Sequence, residues 1–409
     1  MSNTPGAHRP QEPTTHLVIN IGVAALCRLI LNTSRRFVYP FAPVLSRGLG
    51  VPLTAITSLI ALNWAAGVMA VFIGPVTDRL GYRPMMIAGM TLLAVGLLVS
   101  GFLPIYAVVL VALFLAGLGK SVFDPALQAY ISEQVPYRHR GLAIGFLEYS
   151  WAGSALLGIP ALALVIDKFG WRSPFFLMGV LALLGIAALV VLIPRTNKDR
   201  ARQDSKINFK AAWKQVLRER TARGALAFIF LVSAANDNLF VVYGAWLEKS
   251  LGLSIVALGI GTSAIGLAEL LGETMTAILA DRIGLKKSVM TGLAVCIIFY
   301  AILPFLGLTI TMAFVSLFLI FVTFEFMIVA SVSMATELLP EARATMMATY
   351  LGAAGLGRVA GALIGGPVWL IGGILTTSMV SALISALALG TLIWGLRDWH
   401  HTDKVSHLE

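Results

Sequence analysis

The chain has 409 residues, of which 58% are apolar and only 12% charged, with a formal net charge of +10. A soluble domain carries about 25% charged residues, so a water-soluble globular fold is excluded and most apolar side chains are expected to face lipid. The positive excess falls in segments on one side of the expected membrane, which removes nucleic acid as a partner.

Residues 1–16 form a polar tail that contains three prolines and does not read as a cleavable signal peptide. Crossing a bilayer takes about 20 mostly apolar residues, because backbone polar groups must be satisfied within the helix. Apolar runs bounded by turn or charge signals predict six spans in residues 17–194: Leu17–Leu45, Leu53–Val76, Pro84–Leu103, Tyr106–Gln134, Gly141–Ile166 and Pro174–Ile193. The first is long enough to require a kink, expected at Pro40. A polar stretch, residues 195–223, then brings about ten Lys or Arg against three acids. Its part Ile207–Leu217 is mildly amphipathic and is expected on the membrane surface. Six further spans are predicted in residues 224–396: Gly224–Leu247, Ile255–Ala280, Ser288–Leu306, Thr309–Glu337, Thr345–Leu370 and Ile374–Leu396. Residues 397–409 close the chain as a second polar tail. Placing the basic linker in the cytoplasm puts both termini there as well, with about 21 of the 30 Lys and Arg on that side. Cys27 and Cys296 both fall in apolar spans, so no disulfide is expected.

The two sets of six spans repeat one another. Gly74–Met86 reads GPVTDRLGYRPMM and Ala277–Val289 reads AILADRIGLKKSV, which places Asp78 and Asp281 203 residues apart. Glu133 and Pro136 with Arg138 and Arg140 match Glu337 and Pro340 with Arg343, at an offset of about 204. Two independent pairs at one spacing point to a duplicated six-helix unit. Glycine in such a loop permits a sharp turn, and Asp78 can accept from backbone donors or pair with an arginine. Arg79 and Arg83 stand where they can meet acids or anionic headgroups.

On these residues the chain resembles the major facilitator superfamily over essentially its whole length. Gly74, Asp78, Arg79, Gly81 and Arg83 carry the resemblance in the first half. Asp281, Arg282, Gly284, Lys286 and Lys287 carry it in the second, with Ala277 where the family usually has glycine. The resemblance implies an all-α fold of twelve transmembrane helices in two pseudo-symmetric bundles, and for the loop motifs the role of a conformational latch. It also implies that spans three, six, nine and twelve face lipid while the others surround a central cavity. In this sequence those four spans carry no ionisable residue.

A charge at bilayer depth costs about 2.5–3.5 kcal/mol on insertion scales, so each requires a reason. The first half holds Arg28, Arg35, Arg36, Lys120, Asp124 and Glu148 at that depth; the second holds Asp237, Glu269, Glu273, Glu325 and Arg358. Lys120 and Asp124 are four apart and share a helix face, which suits a structural ion pair as well as a ligand site. Arg35 and Arg36 precede Pro40, and Asp237 occupies the matching place about 202 residues later, so a pair across the central interface is expected. Glu148, Asp237 and Glu325 have no opposite charge four residues away on their own helix, which makes them the candidates for proton coupling. Glu269 and Glu273 are like charges at i,i+4, a repulsion that protonation of one of them or a base such as Arg358 could relieve. Asn32, Asn63, Trp64, Tyr39, Gln128, Trp151, Asn236, Asn238 and Tyr243 are further cavity candidates, with helix–helix hydrogen bonding as the alternative.

Span five carries Gly145, Gly153, Gly158 and Pro160, and span eleven is richer still in glycine, a composition that allows close helix contact. Drug–proton antiporters of the superfamily use a direct Gly-Pro in span five and an arginine in span four. Here Gly158-Ile-Pro160 and Leu113 stand instead, and both departures count against an antiporter of that kind. The expected function is secondary transport of a small organic solute by alternating access, coupled to protons, with export of amphipathic or anionic compounds favoured over import of an organic anion. A transporter fold that senses without transporting is the remaining alternative. The six histidines lie at the termini or in a loop and no nucleophile–base pair occurs, so no enzyme activity, metal or cofactor is expected. The expected partners are solute, protons and membrane lipid, the expected state a monomer, and the expected location the bacterial inner membrane.

Overall fold

The structure, a computed structural model, describes residues 15–68, 80–194, 216, 218–339, 343–397 and 399. Among them the regular elements are all helical, with no strand. In chain order they are α1 Thr15–Arg36, α2 Ala42–Leu49, α3 Leu53–Val68, α4 Tyr82–Phe102, α5 Tyr106–Gln134 and α6 Tyr137–Gly153. A single π turn, Ser154–Gly158, leads into α7 Ile159–Phe169, followed by α8 Ser173–Leu192. The second half runs through α9 Arg220–Phe240, α10 Tyr243–Leu251, α11 Ile255–Ile283, α12 Leu285–Leu306, α13 Ile310–Leu338 and α14 Arg343–Gly395.

Ten of the helical stretches in the described residues are long and apolar enough to cross a membrane, or eleven if the sharply bent pair α2 and α3 forms one span. The difference from twelve has a physical cause. Helix α14 runs for 53 residues and leaves helical geometry only at Gly372 and Gly373, where the sequence places a loop between Leu370 and Ile374. Gly373 has φ +60°, a conformation that few other residues adopt. Residues 69–76 of the predicted span Leu53–Val76 lie outside the described residues, as do residues 1–14, most of the linker including nearly all of Ile207–Leu217, and most of the C-terminal tail.

The duplication read from loop motifs recurs in the backbone. Among the described residues, the six glycines with positive φ fall into three pairs at nearly one offset: Gly50 with Gly252, Gly81 with Gly284, and Gly170 with Gly373. The middle pair shares φ +88° and opens α4 and α12. Helices α5 and α13 are each 29 residues long. The chain also breaks in matching places, after Arg36 in the first half and after Phe240 in the second. The first break contains Pro40, as the kink expectation requires. Helices α4, α8 and α12 present large exposed apolar side chains, among them Phe102, Leu184, Val191, Ile298 and Phe305. The charge-bearing helices surround the interior.

The residues that begin α1 and α9 and end α8 and α14 gather at one end of the bundle, here called the terminal end. There Gly224 packs against Gly395, and Arg83 donates a hydrogen bond to the Val190 carbonyl. Lys286 donates to the Leu396 carbonyl at 2.6 Å. These two bases therefore cap the carbonyl ends of α8 and α14, where a cation is favoured by the helix dipole. Arg83 thus meets a helix end, while Arg79, the other base of that loop, lies outside the described residues.

At the opposite, far end the two halves meet closely. A Cβ on Gly244 would lie 2.3 Å from the Pro40 carbonyl oxygen, so only glycine fits where α10 passes the first break. Gly366 of α14 meets Thr54 and Thr57 of α3, and Gly259 of α11 meets Ala163 of α7. Arg47 and Glu248 form an ion pair of 2.7 Å between α2 and α10. The π turn follows from Pro160, which has no N–H for the Leu156 carbonyl one helical turn back. Ser263 of α11 donates to that carbonyl at 3.3 Å, so the defect in one half is satisfied by the other.

Candidate functional site

Between the halves, on the terminal side of their contact, lies a cavity of about 540 Å³. The first half contributes Arg35, Trp64, Gly67, Lys120, Ser121, Asp124, Pro125 and Gln128. The second contributes Ile229, Ser233, Ile328, Val332, Tyr350, Leu351 and Arg358, with small residues of α14 between them. The wall is thus mixed, with three bases and one acid set among aliphatic and aromatic surface. Such a cavity is large enough for a drug-sized molecule.

Most of the charges in this region are held by named partners. Lys120 donates to Asp124 at 2.7 Å, the i,i+4 pair expected from sequence. Arg28 joins it, donating to Asp124 at 3.3 Å and to Glu148 at 3.0 Å and 3.4 Å. Two bases and two acids from α1, α5 and α6 therefore form one cluster. Arg358 donates to Asp237 at 3.0 Å, and Tyr39 donates to the other oxygen of that carboxylate at 3.1 Å. Trp64 in turn donates to the Tyr39 hydroxyl at 2.6 Å, which links the first half to the second through one phenol.

Arg36 is 1% exposed and forms a two-pronged pair with Glu269 of α11, at 2.9 Å and 2.8 Å. It also donates to the Trp151 carbonyl at 3.0 Å and lies over the Trp151 ring. This planar fork-to-fork geometry is the strong form of the arginine–carboxylate contact. Among the described residues, Arg36–Glu269 is the buried ion pair that spans the two halves.

Several expectations are corrected by this geometry. Asp237 does not take Arg35 or Arg36; its arginine is Arg358, on a helix of its own half, and its contact across the interface is Tyr39. Glu148 and Asp237 do have opposite charges, supplied by other helices. The base that meets Glu269 is Arg36 and not Arg358. Glu325 makes no hydrogen bond or ion pair among the described residues; it sits where α13 crosses α11, its Cβ 2.7 Å from the point a Gly272 Cβ would occupy. Asn32 and Asn238 are buried helix–helix linkers, to Ser150 and to Thr377 and Ser381 respectively. Tyr243 bonds to Thr262. Of the twenty side chains singled out from the sequence, Arg35, Trp64, Lys120, Asp124, Gln128 and Arg358 line the cavity; Arg28, Asn32, Arg36, Glu148, Asp237, Asn238, Glu269, Glu325 and the rest do not.

Ser121, Pro125, Ser233 and Tyr350 line the cavity without having been singled out. Pro125 carried a usable signal. A proline within a helix at bilayer depth frees the carbonyl four residues earlier, here that of Ser121, and such defects are tolerated beside a cavity. Of the latch residues, Gly74, Asp78 and Arg79 lie outside the described residues. Gly81 and Gly284 make the matched turns described above, and Arg282 is exposed at the end of α11 next to Asp281 in the chain.

A many-helix membrane protein with two related halves around a mixed polar and apolar cavity defines a class, the polytopic solute carriers. Residues 24–242 and 225–406 match the Major Facilitator Superfamily, and the chain belongs to that family. It is 24% identical over 342 residues to the uncharacterized MFS-type transporter YceJ of Bacillus subtilis (strain 168), covering 82% of this chain and 86% of that protein. It is 26% identical over 362 residues to the gentisate transporter of Corynebacterium glutamicum, covering 82% and 78%. A bacterial homologue of the human lysosomal transporter Spinster, in an inward-facing and unoccupied conformation, superposes with a TM-score of 0.80 at 15% identity, covering 94% of this chain and 98% of that one. The chain is a multi-pass membrane transporter and not an enzyme.

Proposed function

We propose that the protein is a secondary active transporter that moves an amphipathic organic solute bearing an acidic group, by alternating access and in exchange with protons, with export as its working direction. The observation that carries this reading is the cavity itself, which both halves wall and which closes toward the far end. Solute enters from the terminal end, which the distribution of Lys and Arg assigns to the cytoplasm. The aliphatic and aromatic wall takes the apolar body, and Arg35, Lys120 and Arg358 take the acidic group. The likeness to a gentisate transporter supports an anionic solute.

Proton exchange is assigned to Asp237 and Glu325. Asp237 is held by both Arg358 and Tyr39, so loss of its charge frees a cavity arginine and loosens the bridge between the halves. Glu325 adjoins Glu269, whose charge holds Arg36 across the interface. A proton arriving on either acid thus changes what joins the two halves.

Flux in inverted vesicles under an imposed pH gradient tests the proposal. Accumulation of an anionic compound against its gradient, driven by an acidic lumen and reversed when the gradient is reversed, is the expected result. Flux of the same sign without a pH gradient rules out proton exchange, and uptake confined to cations rules out the solute class.

A further inference from the structure

We infer that Arg35 is the anchor for the solute's charge and that the cavity is built for one negative charge, that of a monocarboxylate; the inference rests on the transport reading above and deepens it. Arg35 lines the cavity and is 8% exposed. Its Nε donates to Asn63 Oδ1 at 2.7 Å, and its guanidinium lies over the Trp64 ring, 4.2 Å from the centroid. Neither partner carries a charge. Nη2 is buried without a hydrogen bond, and among the described residues no carboxylate pairs with this arginine.

The other bases of the region are matched. Arg28 and Lys120 face Asp124 and Glu148, Arg358 faces Asp237, and Arg36 faces Glu269. Among the described residues of this region Arg35 alone is left over, buried where an unmatched charge is costly. Glu273 and Glu325 do not line the cavity, so neither supplies the missing charge from its wall.

Asn63 is what keeps the arginine both fixed and unmatched. Its amide nitrogen donates to the Leu113 carbonyl at 2.6 Å, which leaves its oxygen for Arg35. The backbone there is pressed against Gly117, whose Cβ would fall 2.3 Å from the Asn63 carbonyl oxygen. An aspartate at position 63 would neutralise Arg35 from within; an asparagine holds it open for a ligand. Arg358 lies over the same Trp64 ring at 4.4 Å, so the indole sets the spacing between the free arginine and the matched one.

The test uses the purified full-length chain and two matched probe pairs, benzoate with methyl benzoate and octanoate with methyl octanoate. At least one carboxylate is expected to bind the wild type more tightly than its ester. Arg35→Gln is expected to weaken carboxylate binding about 10- to 100-fold, the loss of a charge-assisted contact, with little change for the esters. Asn63→Asp, which keeps Arg35 in place, is expected to erase the same preference, and it decides the matter if Arg35→Gln does not fold. Equal binding of acids and esters to the wild type, binding of neither acid, or a carboxylate preference that survives both substitutions overturns the inference. Flux in proteoliposomes separates it from the broader reading. Carboxylate binding that depends on Arg35 without any flux leaves the anchor standing and removes transport. Carboxylate flux that Arg35→Gln leaves unchanged removes the anchor and leaves transport.

Discussion

The two ends of the interface between the halves are built from different materials. At the far end backbones touch: Gly244 on Pro40, Gly366 on Thr54 and Thr57, with one exposed ion pair outside them. On the terminal side the halves part around a cavity, and what joins them at its base is charge and hydrogen bonding, Arg36 with Glu269 and Tyr39 with Asp237. Close backbone packing depends on exact fit and opens all at once. A buried ion pair can be weakened by a proton or a ligand. The contrast teaches where each kind of perturbation will act.

The largest effect is expected at the base of the cavity. Arg36→Ala leaves Glu269 buried without its partner, which costs about 3–5 kcal/mol and lowers the unfolding midpoint in detergent accordingly. Arg36→Leu combined with Glu269→Leu is expected to recover most of that loss, because the pair offsets its own desolvation only in part. If the single change is silent, the pair does not hold the halves together. Gly244→Ala comes next. The added methyl meets the Pro40 carbonyl and costs about 1–3 kcal/mol by overpacking, felt only in the far-end-closed state. Labelling of a cysteine placed at Ala245, which is 6% exposed here, is expected to rise in that variant. No change in labelling would mean that the far end yields in some other way.

Effects of similar or smaller size are expected from single polar contacts. Tyr39→Phe removes the donation to the charged Asp237, worth about 1.5–3 kcal/mol, and the acceptor for Trp64, worth about 0.5–1.5 kcal/mol, and is expected to slow flux several-fold without unfolding the protein. Wild-type flux in this variant would place the coupling elsewhere than the Asp237 bridge. Arg47→Ala removes the exposed pair with Glu248 and is expected to shift stability by less than about 1 kcal/mol, an effect that salt suppresses. A large effect there would make the charge pair, and not the glycine contacts, the seal of the far end.

Much of the fold was legible because the bilayer imposes simple rules. Apolar runs mark spans, and the paired loop motifs mark the duplication, which the three pairs of positive-φ glycines then repeat in the backbone. Which helices turn inward was legible from where charges fall. The Lys120–Asp124 pair was legible because both residues sit on one helix. The partner of Arg36 was not, since 233 residues separate it from Glu269 and nothing in the sequence says which of four acids in the second half it meets. Asp237 was matched to the wrong arginine for the same reason, because pseudo-symmetry relates positions and does not fix contacts. The role of Asn63 was out of reach, because it depends on Leu113 and Gly117 consuming one side of the amide and fixing its backbone. The break inside α14 was placed correctly by its two glycines, yet the helices on either side run nearly into one another.

Distances at both ends, measured together, test the account most directly. Spin labels at Leu80 and Ile283 report on the terminal end, and labels at Leu49 and Ser250 report on the far end, with buried Cys27 and Cys296 replaced. On shifting pH or adding a transported carboxylate, the first distance is expected to shorten while the second lengthens. Distances that move together, or a far end that never opens while solute crosses, contradict a carrier that works by alternating access between two halves.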